Sequence, residues 1–445
     1  MKKEEMIKLS LLEAVRYIKK GEITARELLE ATVKHIYSVN YNAILSLFEE
    51  DAFFVADKVD MAIAAKEPAG VLAGIPVIIK DNIDVAGYAC TCGSGAFRAN
   101  IAKVDADVVK KLKAAGAVIL GKSNMDEFAM GSSNLTSAFG AVKNPFDMKR
   151  VPGGSSGGSA CAVATHQCFF ALGSDTGGSI RQPASYCGVV GLKPTHGSVS
   201  GAGCFPLAPS MDQIGPLTRT VGDCAAVFEV LALAERYDRY GSDFSDIRTA
   251  PMRVGVINES LPEIRGDVSA AFDAAVVTLK ARGCEVREVS VPSFIAAHYI
   301  YKTVAFAEIT QSMRTVGAGR ELLGREVKKR VLAGKVVLDS PALLAAGLAA
   351  RIKLAEEMVF ALSEVDVIML PTAPSVAFRL ADDPSKREIK FSDMFTQPAS
   401  IAGLPSLSVP FFKNAEGLPL GTQFVGKVFR EKDIFAAGKL LMGEV

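Results

Sequence analysis

Asp107-Val-Val-Lys-Lys-Leu-Lys-Ala-Ala-Gly116-Ala-Val-Ile-Leu120 decides the architecture. Val108, Val109 and Leu112 recur at helical spacing, which predicts a helix over 107–115 with one buried face. Gly116 stops it, because glycine takes the left-handed turn after a helix without strain. Ala117 to Leu120 then reads as a strand with both faces buried. The same order returns in Ala271 to Arg282, Gly283 and Glu285 to Val291, and further short apolar strands stand at Val254 to Ile257 and Val367 to Leu370. Unbroken apolar strands alternating with helices predict an α/β fold: a mixed, mostly parallel sheet with helices on both faces.

Working outward, the first forty residues read as two amphipathic helices. Ser10 with Glu13 and Thr24 with Glu27 form capping boxes, and Gly21 ends the first helix. We find no interdomain linker or internal repeat, so residues 1–445 are expected to form one large domain with 1–40 packed on it as a helical segment. The 445 residues carry 50 Lys+Arg against 49 Asp+Glu and are 49% hydrophobic, which excludes a disordered chain and argues against unaided binding to nucleic acid. Eight scattered cysteines without a C-x-x-C pair read as reduced, buried thiols, and four histidines argue against a multi-histidine metal site. Acidic residues follow Met1 at once and no apolar stretch of signal or membrane-span length appears, so a cytoplasmic protein away from membranes is expected.

Three motif readings compete. Gly116 to Ser123 fits the P-loop expression, but a helix precedes it and its middle residues form the strand itself, leaving a core strand with a loop at Gly121. Gly153-Gly154-Ser155-Ser156-Gly157 fits a nucleophile elbow. Yet the turn-forming stretch Lys143-Asn-Pro-Phe-Asp147 precedes it, and nothing around the late His298 points to a site. The third reading joins two Gly/Ser clusters, 153–159 and 173–179, to Gly74-Ile-Pro-Val-Ile-Ile-Lys80-Asp-Asn82. A lysine in apolar surroundings loses charge stabilisation and can act as a base near neutral pH. Ser179 follows Gly177-Gly178, where free N–H groups can turn inward as an oxyanion hole. Ala160 to Leu172 reads as one buried element between the clusters, which lets the loops of Ser155 and Ser179 meet beside it. For each residue an ordinary turn or solvated strand end remains the plain alternative.

At these residues the chain resembles the amidase signature family, whose hallmark is a Ser–cis-Ser–Lys triad. Lys80, Ser155 and Ser179 stand in matching contexts, within a long match from Gly153 to Thr195 that includes Gly173-Ser-Asp-Thr-Gly-Gly-Ser-Ile-Arg181-Gln-Pro. Met125-Asp-Glu-Phe-Ala-Met-Gly-Ser-Ser133, Asp212-Gln-Ile-Gly-Pro-Leu-Thr-Arg219 and Pro371-Thr-Ala-Pro374 are most similar to the A subunits of tRNA-dependent glutamyl/aspartyl amidotransferases. The resemblance implies amide hydrolysis with Ser179 as nucleophile, Ser155 as relay, Lys80 as base, and Thr176, Gly177 and Gly178 in the oxyanion hole. It implies glutamine as substrate, its amino-acid end held by Arg330 and Asp393. It further implies ammonia passed to a partner subunit that uses ATP and magnesium, assembly with B and C subunits, tRNA met mainly through the partner, and no cofactor or metal in this chain. The chain departs from the family pattern with His196 for Tyr, Ser198 for Arg, a shorter stretch between Phe306 and Gly324, and an early end after Leu441. A stand-alone amidase with another small carboxamide as substrate is the alternative, and a silent scaffold a third reading that the intact triad opposes.

Overall fold

The computed structural model describes all residues except 238–240, 242, 245–246, 248, 260–263, 318, 383–390 and 445. Eleven strands among them form one sheet: β1 (Ile44–Leu47), β2 (Pro76–Lys80), β3 (Val118–Ser123), β4 (Phe170–Asp175), β5 (Val190–Lys193), β6 (Gln213–Thr218), β7 (Arg253–Ile257), β8 (Glu285–Val289), β9 (Val367–Pro371), β10 (Ser406–Lys413) and β11 (Pro419–Gly426). Their order is β1-β3-β2-β4-β6-β5-β10-β11-β9-β7-β8. Every position of β2, β3, β4, β5, β6 and β9 is buried, so both faces are covered there, as the unbroken apolar runs predict.

The sheet is mixed, but the expected parallel majority is not found. β2 pairs in parallel with β3 and β4, and β7 with β8 and β9; the other six pairings are antiparallel. A strand buried on both faces reads as one apolar run whichever way it points, so pattern alone does not give direction. The β10–β11 hairpin turns at Asn414 and at Gly417, whose φ of 77° is the left-handed conformation that glycine takes freely.

Local predictions hold closely. Glu13 N donates to Ser10 Oγ (3.1 Å) and Ser10 N to the Glu13 carboxylate (2.8 Å), and Thr24 and Glu27 reciprocate in the same way. The helix predicted over 107–115 spans Asp107–Ala114, and Gly116 has φ 84°. Two details differ. Gly121 to Ser123 belong to β3 rather than to a loop, because β1 and β2 continue to pair with them. Ala160 to Leu172 is two elements, a helix Gly157–Ala164 and then β4, because a left-handed His166 breaks the run. No single helix among the described residues is long and apolar enough to cross a membrane.

Register fixes the working end. Lys80 of β2 lies opposite Ser123, the last residue of β3, and β4 runs alongside in the same direction to end at Asp175. Three parallel strands therefore release their loops together at their carboxyl ends, where open α/β sheets place ligands.

Candidate active site

Lys80 is fully buried, and its Nζ donates to Ser155 Oγ (2.7 Å), Ser156 Oγ (2.8 Å), Ser174 Oγ (2.9 Å) and the Ser174 carbonyl (3.2 Å). Burial brings its pKa down to about 8, against the partial support of Cys204, Asp126, Asp175 and Asp212. Burial alone does not mark a base, since Lys122 and Lys193 are equally buried. Lys122 donates to the Ile83 carbonyl near Asp81, and Lys193 to the Pro194 carbonyl (2.9 Å), although burial brings Lys193 to about 7. Lys80 differs from both in the hydroxyls its amine faces.

The two Gly/Ser loops meet as the sequence predicts. Ser156 N donates to the Ser179 carbonyl at 3.1 Å. The Gly154–Ser155 peptide is cis. Gly154 N donates to Gln182 Oε1 (3.0 Å), and a Cβ at Gly154 would run into the Asp126 carboxylate, so only glycine fits. Asp126 holds the opposite wall: it accepts from Ser133 N (3.2 Å), Asn134 N (2.9 Å) and Thr136 Oγ1 (2.8 Å), and its own N–H donates to the Ser155 carbonyl (3.3 Å).

A buried ion pair shapes the Ser179 loop. Arg181 donates through Nε to Asp175 Oδ2 (3.0 Å) and through Nη2 to Asp175 Oδ1 (2.9 Å), both side chains being fully enclosed. Burial pushes the Asp175 carboxyl up, but the charge and hydrogen bonds of Arg181 outweigh it and hold the carboxyl below its ordinary value. Asp175 Oδ2 also accepts from Ile180 N (3.1 Å), so the chain closes back on itself and presents residues 176–179 as a tight loop. Gly178 has φ 144°, and a Cβ there would meet Thr396 Oγ1, which donates to the Gly177 carbonyl (2.7 Å). Among the described residues nothing accepts from the N–H groups of Thr176, Gly177, Gly178 and Ser179. Those free donors beside a serine hydroxyl are the equipment an oxyanion needs.

The remaining expected residues come from far along the chain. Asp393 lies against Gly178, within 3.4 Å of where its Cβ would be. Arg330, on the helix Arg325–Leu338, bonds Glu326 Oε1 through Nε (2.9 Å), and its guanidinium lies over the Phe306 ring (5.6 Å to the centroid). Burial raises the Asp393 carboxyl, and the charge of Arg330 is the largest influence opposing it. The two residues form no direct ion pair among the described residues. Several site neighbours escaped sequence reading. Ser156 and Ser174 stood inside the quoted clusters. Tyr301, whose ring fills the space beside Gly177, and Thr396 carry no local signal, since they come from a helix and a loop that meet the site only on folding. His196 and Ser198, which depart from the family pattern, lie on the turn after β5, where His196 Nε2 pairs with the Pro209 carbonyl (3.0 Å) and Ser198 is fully buried.

Comparison with known proteins bears on this geometry. The chain is 41% identical to the A subunit of a glutamyl-tRNA(Gln) amidotransferase from Lachnospira eligens, with 96% of each chain covered. Among solved structures it resembles an amidase (32% identity, 98% of this chain and 100% of the other, TM-score 0.89). It also resembles the A subunit of the Thermotoga maritima glutamyl-tRNA(Gln) amidotransferase (35% identity, 100% and 94% covered, TM-score 0.76). A buried lysine bonded to Ser155, Ser156 and Ser174, a serine at 179 whose neighbouring N–H groups have no acceptor among the described residues, and an amidase family model that matches residues 27–435 lead to one conclusion: the chain is an enzyme of the amidase family.

Proposed function

We propose that this chain is the glutaminase component of a tRNA-dependent amidotransferase, hydrolysing the side-chain amide of free glutamine and delivering ammonia to a partner. The substrate reading rests on Arg330 and Asp393: Asp393 lies against Gly178, the charge of Arg330 is what most offsets the burial of Asp393, and the two form no ion pair among the described residues. A guanidinium can take an α-carboxylate in two hydrogen bonds and a carboxylate can take an α-ammonium, so the pair suits a free amino acid.

In this mechanism neutral Lys80 accepts the proton of Ser155, which accepts that of Ser179. Ser179 Oγ attacks the amide carbon, and the N–H groups of residues 176–179 stabilise the oxyanion. The relay returns the proton to the leaving nitrogen, ammonia departs, and water cleaves the acyl-enzyme. Asp175 and Arg181 hold the loop in shape without touching the substrate. The L. eligens and T. maritima relatives are named as components of amidotransferases, and by extension B and C subunits, with ATP and magnesium in a partner, would complete the assembly.

The alternative is a stand-alone amidase, which the closer match in shape favours: TM-score 0.89 to the amidase against 0.76 to the T. maritima amidotransferase chain. Kinetics on the purified chain decide between them. Glutamine turnover with saturation, weakened selectively in Arg330→Ala, supports the glutaminase; a wild type that ignores glutamine and cleaves neutral amides overturns it.

A further inference from the structure

Asp126 and Glu127 are adjacent, both buried, and they reach in opposite directions. Asp126 faces the serine loops. Glu127 faces the start of the helix Arg325–Leu338: its Oε2 accepts from Gly324 N (2.8 Å), and its Oε1 accepts from Ser94 Oγ (2.6 Å). Gly324 is the N-cap of the helix Arg325–Leu338 and, as a glycine, has no side chain with which to cap it. Glu127 satisfies the N–H of Gly324 itself, one of the orphan donors at the start of the helix, from a distant turn of the chain, where a carboxylate also suits the positive end of the helix dipole. A Cβ on Gly324 would run into the Glu127 carboxylate, so the contact is close enough to fix position. The turn that carries Glu127 is itself constrained. Its N–H donates to Thr136 Oγ1 (3.0 Å), which binds Asp126, and Phe128 and Ala129 that follow have φ of 49° and 59°.

Arg330 lies six residues beyond Gly324, about 9 Å further along the axis at 1.5 Å per residue. Shifting the start of the helix therefore shifts the guanidinium relative to Ser179. We propose that Glu127 is a positioning residue for substrate selectivity. It locks the helix that carries Arg330 to the same turn that holds the Ser155 loop, so the distance between amide chemistry and amino-acid grip is set by two neighbouring residues. This rests on the glutaminase reading of the pocket. Glu127 touches no reacting atom, and its effect runs through Arg330.

The test measures KM and kcat for glutamine and for propionamide on the full chain. Glu127→Ala raises KM for glutamine by at least about tenfold while kcat/KM for propionamide stays within about threefold. Glu127→Met keeps the volume but removes the acceptor; it carries the same expectation and replaces the alanine variant if that does not accumulate as folded protein. Glu127→Gln, whose amide oxygen still accepts from Gly324 N, restores the KM for glutamine to near the wild-type value. Equal losses on both substrates, or no change on either, overturn the proposal, as does a failure of Glu127→Gln to rescue. Arg330→Ala is measured alongside to separate two failures. If it raises KM for glutamine and the Glu127 variants do not, the positioning role falls alone. If it leaves KM for glutamine unchanged, the glutaminase reading falls first.

Discussion

The sheet has two halves of different origin. β1 to β6, residues 44–218, lie contiguous on one side, and β7 to β11, residues 253–426, on the other; they join only where β5 meets β10. The first half supplies Lys80, at the end of a parallel strand and bonded to Ser155 Oγ (2.7 Å), and Ser179, whose carbonyl accepts from Ser156 N (3.1 Å). Arg330, Asp393 and Thr396 come from the segments that accompany the second half, and among the described residues Arg330 is held by a helix neighbour and an aromatic face. On the proposed reading, the hydrolytic residues come from a strand end and loops of one half, whereas Arg330 and Asp393 come from segments far along the chain.

The largest effect should come from the first half. Ser179→Ala is expected to lower kcat by at least about 10⁴-fold on glutamine and on neutral amides alike, since losing a nucleophile removes covalent catalysis whatever the substrate. A covalent amide-analogue inhibitor should label Ser179, seen by peptide mass spectrometry. Labelling at Ser155 or a cysteine would break the assignment of roles.

Lys80→Arg should be as damaging as Lys80→Ala, roughly 10²–10⁴-fold in kcat, because arginine keeps the charge but does not give up its proton. An arginine variant that retains most of the activity would make Lys80 a structural cation.

The second half should respond differently. Arg330→Ala is expected to cost on the order of 2–5 kcal/mol in glutamine binding, read as a raised KM, because Asp393 is left uncompensated in a partly buried pocket. The loss on a small neutral amide should be much smaller. Equal losses would erase the division between the halves.

The smallest effect is in the pH profile. Lys80 titrates near 8, and only its neutral form accepts a proton. kcat/KM should therefore rise with pH and level off above that value, falling about tenfold for each unit below it. A profile flat from pH 6 to 9 would remove Lys80 as the base.

Much of this was legible. The capping boxes at Ser10 and Thr24 and the helix stop at Gly116 follow from local rules, because each depends on residues a few positions apart, and the meeting of the two Gly/Ser loops follows from the buried stretch between them. Lys80 shows where such rules end. Val189-Val-Gly-Leu-Lys193 is also an apolar strand ending in lysine, and its amine is as buried, yet it faces a carbonyl instead of serines. Sequence gives the buried lysine but not its partners, which register decides. Strand direction was hidden for the same reason, and so was Tyr301, brought to Gly177 by packing of a distant helix. Arg330 and Asp393 were found only through resemblance, since nothing local separates Arg330 from Lys328 and Lys329 beside it.

The join between β5 and β10 also has a consequence during synthesis. When β5 leaves the ribosome its partner at Ser406–Ser408 does not yet exist, and at roughly 5–20 residues per second it follows on the order of ten seconds or more later. Through that interval the half that carries the triad has an unpaired, apolar edge, open to any other strand in reach. A nascent chain stalled before residue 406 should therefore recruit chaperones or self-associate, and release of the C-terminal hairpin should end that exposure.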